Sequence, residues 1–234
     1  MLNFITLQLS HTKCFLIKAN LGYLLIDCGN AYDKEAFEEQ LLNHKIAVTD
    51  IQYLFLTHHH SDHCGLLSFL KEQNPGLKVI MSKKCAEFLK LGSNQVHPNE
   101  HYCNPRLGNM IQIYRSKSEQ NPLRIFTPYF YRDSDIIIET DDNAVLPSIG
   151  ITGSIIMTPG HTEDSISLIT KETAFVGDAL RNNLNFTGTK YQPILLYSPE
   201  ECKKSLQKLI STGVEMIYPA HGKAFPADKL AQEQ

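Results

Sequence analysis

The chain has 234 residues, of which 42% are apolar and 20% charged, and its formal charge is −3. A chain of this length buries roughly 70% of its unfolded surface and needs no disulfide to fold; no apolar run reaches the ~18 residues of a membrane span. A slightly negative charge argues against a broad nucleic-acid surface.

At the N-terminus, apolar Ile5, Leu7 and Leu9 alternate with polar residues, which predicts a strand over Phe4–Leu9 rather than an export signal. A chain retained in the cytoplasm would keep Cys14, Cys28, Cys64, Cys85, Cys103 and Cys202 as thiols. Strands are predicted at Cys14–Ala19 and Tyr23–Ile26, the latter ending in the turn Asp27-Cys28-Gly29-Asn30. A helix follows over Asp33–His44, with Asp33 as its cap and Ala36, Phe37 and Leu41 on its buried side. The order continues with a strand at Gln52–Leu56, a helix at Gly65–Gln73 ended by Asn-Pro-Gly, a strand at Lys78–Met81 and a helix at Lys83–Leu91.

From Gly92 to Asp135 the chain is rich in Asn, Pro, Ser and Tyr and has no sustained period. It reads as a long loop or insertion at about 92–135, of the kind that usually serves function. Its aromatics, among them Tyr102, Tyr114, Phe126, Tyr129, Phe130 and Tyr131, must be buried over a site or against a second copy. A homodimer therefore stands beside a small-molecule substrate as an expected partner. Strands resume at Ile136–Glu139, Ser154–Met157, Ser165–Ile169 and Ala174–Val176. An amphipathic helix over Pro199–Thr212 and a strand at Met216–Tyr218 complete the order. Strands and helices recur along the whole length, so the class is α/β and layered, one domain over residues 1–234.

The strand at Gln52–Leu56 runs into Thr57-His58-His59-His60-Ser61-Asp62-His63-Cys64-Gly65. Residues two apart in extended chain point the same way, so His58 and His60 can grip one ion while His59 points elsewhere. Asp62 and His63 can face the same cavity where the chain turns toward a helix. Imidazole with carboxylate suits zinc, and also iron or manganese. Three later strands end likewise in a turn that presents a ligand-type residue: His161 after Thr-Pro-Gly, Asp178 after Gly177, and His221 before Gly222. Each of these alone reads as a turn or cap residue, whereas three histidines and an aspartate within six residues have no comparable structural use.

His-x-His-x-Asp-His at 58–63, followed by His161, Asp178 and His221, resembles the metallo-β-lactamase superfamily, and the likeness spans roughly residues 4–225. The resemblance implies a four-layer αββα sandwich with two divalent cations, most readily Zn2+, at one edge. His58, His60 and His161 would hold the first, Asp62, His63 and His221 the second, and Asp178 would bridge both. Asp27 matches a family position that is usually structural. A hydroxide shared by the ions would attack an ester, thioester, lactone, amide or phosphoester, with Asp62 and Asp178 as the catalytic carboxylates. Acyl-homoserine lactonases of the family tend to carry tyrosine where this chain has Arg181, and flavodiiron proteins carry glutamate where it has His60. Arg181 and Asn182 are candidates to read an anionic group. Two alternatives stand beside the hydrolase: a mononuclear iron dioxygenase acting on sulfur, and a non-catalytic metal-stabilised binding protein. Cys64 reads as a small buried hydrophobe, and His11, His44, His97 and His101 as solvated residues.

Overall fold

The computed structural model describes residues 2–117, 124–188 and 190–232. Strands β1 (Phe4–Gln8), β2 (Lys13–Lys18) and β3 (Tyr23–Ile26) form an antiparallel meander. Helix α1 (Lys34–Asn43) leads to β4 (Ile51–Phe55), which lies parallel to β3. After α2 (Ser61–Cys64) and α3 (Leu67–Gln73), strand β5 (Lys78–Ser82) adds in parallel, followed by α4 (Lys83–Leu89), β6 (His101–Tyr102) and α5 (Pro105–Lys117). Strand β7 (Ile136–Ile138) closes a six-stranded sheet in the order β1-β2-β3-β4-β5-β7.

The second half begins with α6 (Val145–Ser148), β8 (Ser154–Met157), β9 (Ile166–Ile169) and β10 (Thr173–Gly177). Next come β11 (Leu195–Leu196), α7 (Pro199–Ser211), β12 (Met216–Pro219) and β13 (Phe225–Pro226). They form a five-stranded sheet ordered β13-β12-β10-β9-β8, while β11 pairs with β6 as a small ribbon.

The layering follows from period two. On β2, Phe15 and Ile17 point between the sheets, where they meet Phe55, Ile80, Ile155, Leu168 and Phe175. Cys14 and Leu16 point the other way, into a core with Phe37 and Leu41 of α1, Leu67 and Leu70 of α3, and Cys85 and Leu89 of α4. On the far side, Ala174, Val176 and Ile217 carry Leu209 of α7. The sequence of layers is helix, sheet, sheet, helix, as the resemblance implied.

Three readings of the sequence change. Asp33 does not cap α1 with its side chain; its carboxylate accepts the amides of Asn30 (2.9 Å) and Ser10 (3.2 Å), tying the β1 end to the Asp27 turn. The helix expected from Gly65 is preceded by a separate turn of helix, α2, so Asp62 and His63 sit on helix and not on a bend. The 92–135 segment is also not a plain loop, because it contains β6 and the 13-residue α5; residues 118–123 lie outside the described residues. A signal for α5 was present: Asn104 accepts the Leu107 amide at 2.8 Å, and Pro105 takes the first helical position. Gly108 in the helix interior lowers its propensity and hides it. That glycine is required, because a Cβ there would sit 2.7 Å from the Tyr102 ring. Of the aromatics in this segment, Phe126 and Tyr129 join the core beside α4, while Phe130 and Tyr131 are exposed.

Candidate metal centre

The site lies where five strands end on one edge of the sandwich. β3 ends in Asp27, β4 in Thr57–His60, β8 leads to His161, β10 to Asp178 and β12 to His221. At that edge the sheets are joined by the Ile166 amide donating to the Thr57 carbonyl (2.9 Å). They approach closely there: Gly177 has φ +53°, and a Cβ on it would meet Thr57 Oγ1 at 2.4 Å. Extended His60 precedes α2, and its carbonyl accepts the amides of His63 (2.8 Å) and Cys64 (3.0 Å). Thus His58 and His60 come from extended chain, and Asp62 and His63 from one helical turn.

Three groups of donor atoms each lie within 4.8 Å of one another: His58, His60 and His161; Asp62, His63 and His221; and His58, His63 and Asp178. The first two are the triads that the resemblance implied, and the third joins them through Asp178. Asp178 Oδ1 is 3.3 Å from His221 Nε2 and 3.7 Å from His63 Nε2, and its Oδ2 is 3.7 Å from His161 Nε2. The carboxylate therefore stands between the triads. His161 Nε2 and His60 Nδ1 face each other at 3.2 Å, and His221 Nε2 lies 3.1 Å from Asp62 Oδ2.

The buried polar atoms test whether these residues fit metal ions. Among the described residues, His58 Nε2, His63 Nε2, Asp178 Oδ1 and His221 Nε2 are buried without a hydrogen-bond partner; Thr12 Oγ1, elsewhere, is the fifth such atom. Unpaired buried polar atoms are costly and rare in native proteins. Four converging on one point, all with lone pairs that bind divalent cations, fit a metal centre.

The opposite ring nitrogens are held. His63 Nδ1 is 2.7 Å from Asp27 Oδ2, His58 Nδ1 is 3.1 Å from Thr57 Oγ1, His161 Nδ1 is 2.8 Å from the Leu195 carbonyl and His221 Nδ1 is 2.7 Å from the His11 carbonyl. Such outer partners set the tautomer and turn the free nitrogen inward. Burial, reinforced by neighbouring imidazoles, holds His58 and His60 well below the usual histidine range, which keeps them neutral. Burial opposes charge on His63 too, but Asp27 and Asp62 outweigh it and raise that ring to about 9. Burial also opposes charge on Asp178, yet His221 and Arg181 hold its carboxyl down at about 2.

Asp27 is more than a turn residue. It adopts φ +54°, and its buried carboxylate accepts from the Thr57 amide (2.8 Å) and Thr57 Oγ1 as well as facing His63. His59 does point away: its amide donates to Asp164 Oδ2 (2.8 Å), its Nδ1 faces Asp164 Oδ1 (2.9 Å), and its Nε2 accepts the Gln95 amide (2.9 Å). Replacing His59 by Ala should leave metal content unchanged and cost about 2–3 kcal/mol, because the buried Asp164 loses its counterpart. The same change at His60 should empty the first triad. Elemental analysis and thermal melting of both variants check the pair, and equal metal loss in both would refute the assignment.

Arg181 reaches the site: Nη1 donates to Asp178 Oδ2 (3.0 Å) and Nε to Asn183 Oδ1 (3.2 Å). Asn182 is spent on structure, donating to the Lys223 carbonyl (2.9 Å) and accepting from Asn185 Nδ2 (2.9 Å). Cys64 is buried, His44 and His101 are exposed, and the His97 ring lies tilted against Tyr197 with ring centroids 5.1 Å apart. A cavity of about 230 Å3 opens beside the triads, bounded by His60, Asp62, His161, Arg124, Arg181 and Tyr102. Asp164 and Arg124 were not singled out from the sequence; nothing local marks either one. A larger cavity of about 280 Å3, lined by Leu180, Tyr191, Cys202 and Leu206 beside α7, holds none of the seven donors.

A profile of the metallo-beta-lactamase superfamily matches residues 8–221, and the chain belongs to that superfamily. It is 27% identical over 195 residues to the uncharacterized protein YobT of Bacillus subtilis (strain 168), covering 78% of this chain and 72% of YobT. It is 24% identical over 227 residues to the probable metallo-hydrolase YqjP of the same organism, covering 89% of this chain and 66% of YqjP. Among solved structures, the family protein TTHA1429 from Thermus thermophilus superposes with a TM-score of 0.68 at 17% identity, over 99% of this chain and 77% of that one. BJP-1, a subclass B3 metallo-beta-lactamase of Bradyrhizobium japonicum, gives 0.63 at 15% identity, over 94% of this chain and 75% of that one. Among the described residues, no helix is long and apolar enough to cross a membrane.

Proposed function

We propose that this chain is a hydrolase with a dinuclear metal centre, acting on an ester, thioester, lactone, amide or phosphoester bond of a small molecule. The observation that carries this reading is the convergence of two three-donor triads on Asp178, with four buried donor atoms left unpaired. His58, His60 and His161 would hold one ion, Asp62, His63 and His221 the other, and Asp178 would serve both. Imidazole-rich donors favour zinc, and iron or manganese also suit them. When bound, two such ions supply a water acidic enough to act as nucleophile near neutral pH and polarise the oxygen of the scissile bond. The chain's own residues do the rest. Asp27 and Thr57 orient His63 and His58, the carbonyls of Leu195 and His11 orient His161 and His221, and Arg181 orients Asp178. With no serine or cysteine nucleophile needed, Cys64 remains a buried hydrophobe. All six cysteines are free thiols, which fits a reducing compartment such as the cytoplasm.

The test is elemental analysis of protein loaded separately with zinc, manganese and ferrous iron, with each form screened against ester, lactone and phosphodiester substrates. The expected result is close to two ions per chain together with metal-dependent hydrolysis. A stoichiometry that stays at one with every metal would remove the dinuclear reading; oxygen uptake by the iron form would replace hydrolysis with sulfur oxidation.

A further inference from the structure

We infer that the substrate carries a short apolar chain beside its scissile bond, seated against Tyr102, Leu195 and Ile111; the inference rests on the hydrolase reading and narrows the substrate class for it. Tyr102 and Ile111 belong to the 92–135 segment, and Leu195 to the strand that pairs with it. In an antiparallel ribbon, residues paired across the two strands share a face, and their neighbours along each strand take the other face. Leu195 pairs with Tyr102, and Leu196 with His101. The first pair lines the cavity of about 230 Å3 that has His60, Asp62 and His161 in its wall. Leu196 lines the separate cavity of about 280 Å3 beside α7, and His101 is exposed. The β6–β11 ribbon is thus a partition with one apolar face turned to the metal donors. Helix α5 extends that face. The Tyr102 ring rests where a Cβ on Gly108 would stand, 2.7 Å away, and Ile111, one helical turn beyond Gly108, lines the same cavity.

Hydrogen bonds hold this wall beside the first triad. The Leu195 carbonyl accepts from His161 Nδ1 (2.8 Å), and two residues on, the Tyr197 amide donates to the Gly160 carbonyl (3.0 Å). The Cys103 amide donates to the Ile194 carbonyl (2.9 Å), which fixes β6 to β11. The start of the segment is tied to the loop that carries His58 to Asp62: Asn94 Oδ1 accepts the Ser61 amide (2.8 Å), and His59 Nε2 accepts the Gln95 amide (2.9 Å). A chain lying on Leu195 is therefore next to the donors His60 and His161, and so next to the reacting bond. Arg181 borders the same cavity but is engaged with Asp178 and Asn183. Apolar side chains that face a cavity gain from being covered, and each methylene that leaves water to cover them tightens binding about fourfold. A charged group in that place would lose its hydration and find no partner on the wall. At about 230 Å3 the cavity has room for about eight water molecules, so the chain it accepts is short.

The experiment is isothermal titration of zinc-loaded protein with straight-chain hydroxamates, from acetohydroxamate through the butyro-, hexano- and octano- members; the head group binds zinc and the chain probes the wall. Wild-type affinity should rise about fourfold per methylene and level off once the cavity is full. Leu195→Ala keeps the carbonyl that holds His161, and Ile111→Ser stands outside the donor set. Each should cut the gain to about twofold per methylene or less, with zinc content unchanged. His101→Ala, on the other face of the ribbon, should keep the wild-type series. Affinity independent of chain length in the wild type would overturn the inference, as would a full gain retained in both Leu195→Ala and Ile111→Ser, an equal loss in His101→Ala, or a wild type that binds no member of the series. A wild-type series in binding, with no hydrolysis of esters or thioesters bearing the same chains, would overturn the hydrolase reading and leave the apolar wall a ligand site. Hydrolysis together with hydroxamate affinity indifferent to chain length would do the reverse.

Discussion

Asp178→Ala should lower turnover on the order of 10^3-fold and reduce the metal content to one ion or fewer. Asp178 faces both triads, with Oδ1 toward His63 and His221 and Oδ2 toward His161. Removing it withdraws one negative charge from between two cation positions. It also strips Arg181 of its carboxylate partner, leaving a largely buried guanidinium 12% exposed beside those positions. Both effects raise the electrostatic cost of holding divalent ions, so the loss exceeds that of a single missing ligand. Asp178→Asn keeps the shape and an acceptor for Arg181 while removing the charge, and it separates the two contributions. Turnover measured against measured metal content checks the expectation. Two ions retained, with activity within tenfold of wild type, would refute a bridging role.

Asp27→Asn should weaken the second metal by 10- to 100-fold, although Asp27 belongs to neither triad. Its carboxylate serves three groups at once: the Thr57 amide, Thr57 Oγ1 and His63 Nδ1. An amide of the same shape can accept from one side only and presents a donor on the other. His63 then loses the acceptor that directs its Nε2 inward, and Thr57 loses part of what holds it beside His58. Asp27 is 1% exposed and His63 fully buried, so the broken pair also costs stability, about 3 kcal/mol. For a chain of this size that corresponds to a fall of roughly 6–12 °C in Tm. Competition against a zinc-buffering chelator reads the affinity, and melting of the metal-free protein reads the stability. A variant that holds the second zinc as tightly as wild type would leave Asp27 a turn residue only.

How much of this was legible in the sequence depends on distance along the chain. His58, His60, Asp62 and His63 could be read directly, because a short strand followed by a turn fixes which neighbours share a side. His161, Asp178 and His221 could be read because each follows an apolar run at a turn, and strand ends in layered folds gather at one edge. The layered class was legible from strands and helices recurring along the chain and the four layers from the resemblance, while the structure adds that β2 is covered on both faces, by Phe15 and Ile17 on one and Cys14 and Leu16 on the other. Alternation names a face, but it does not say which residue of another element stands opposite. That Asp27 faces His63 across 36 positions was decided by β3 and β4 lying side by side in one sheet, and that Asp164 faces His59 across 105 by how the two sheets seat against each other. The same holds for Arg181. Its sequence position suggested an anion reader, while the fold set it 3.0 Å from Asp178 and brought Arg124 to the same cavity. It also turned the neighbouring Asn182 toward Lys223. The helix α5 was hidden because its weak propensity is overcome by packing, with Tyr102 filling the space that a side chain on Gly108 would need. Ligand identity is a local property of strand, turn and residue type; the partners that hold those ligands are set by long-range packing, which no local pattern encodes.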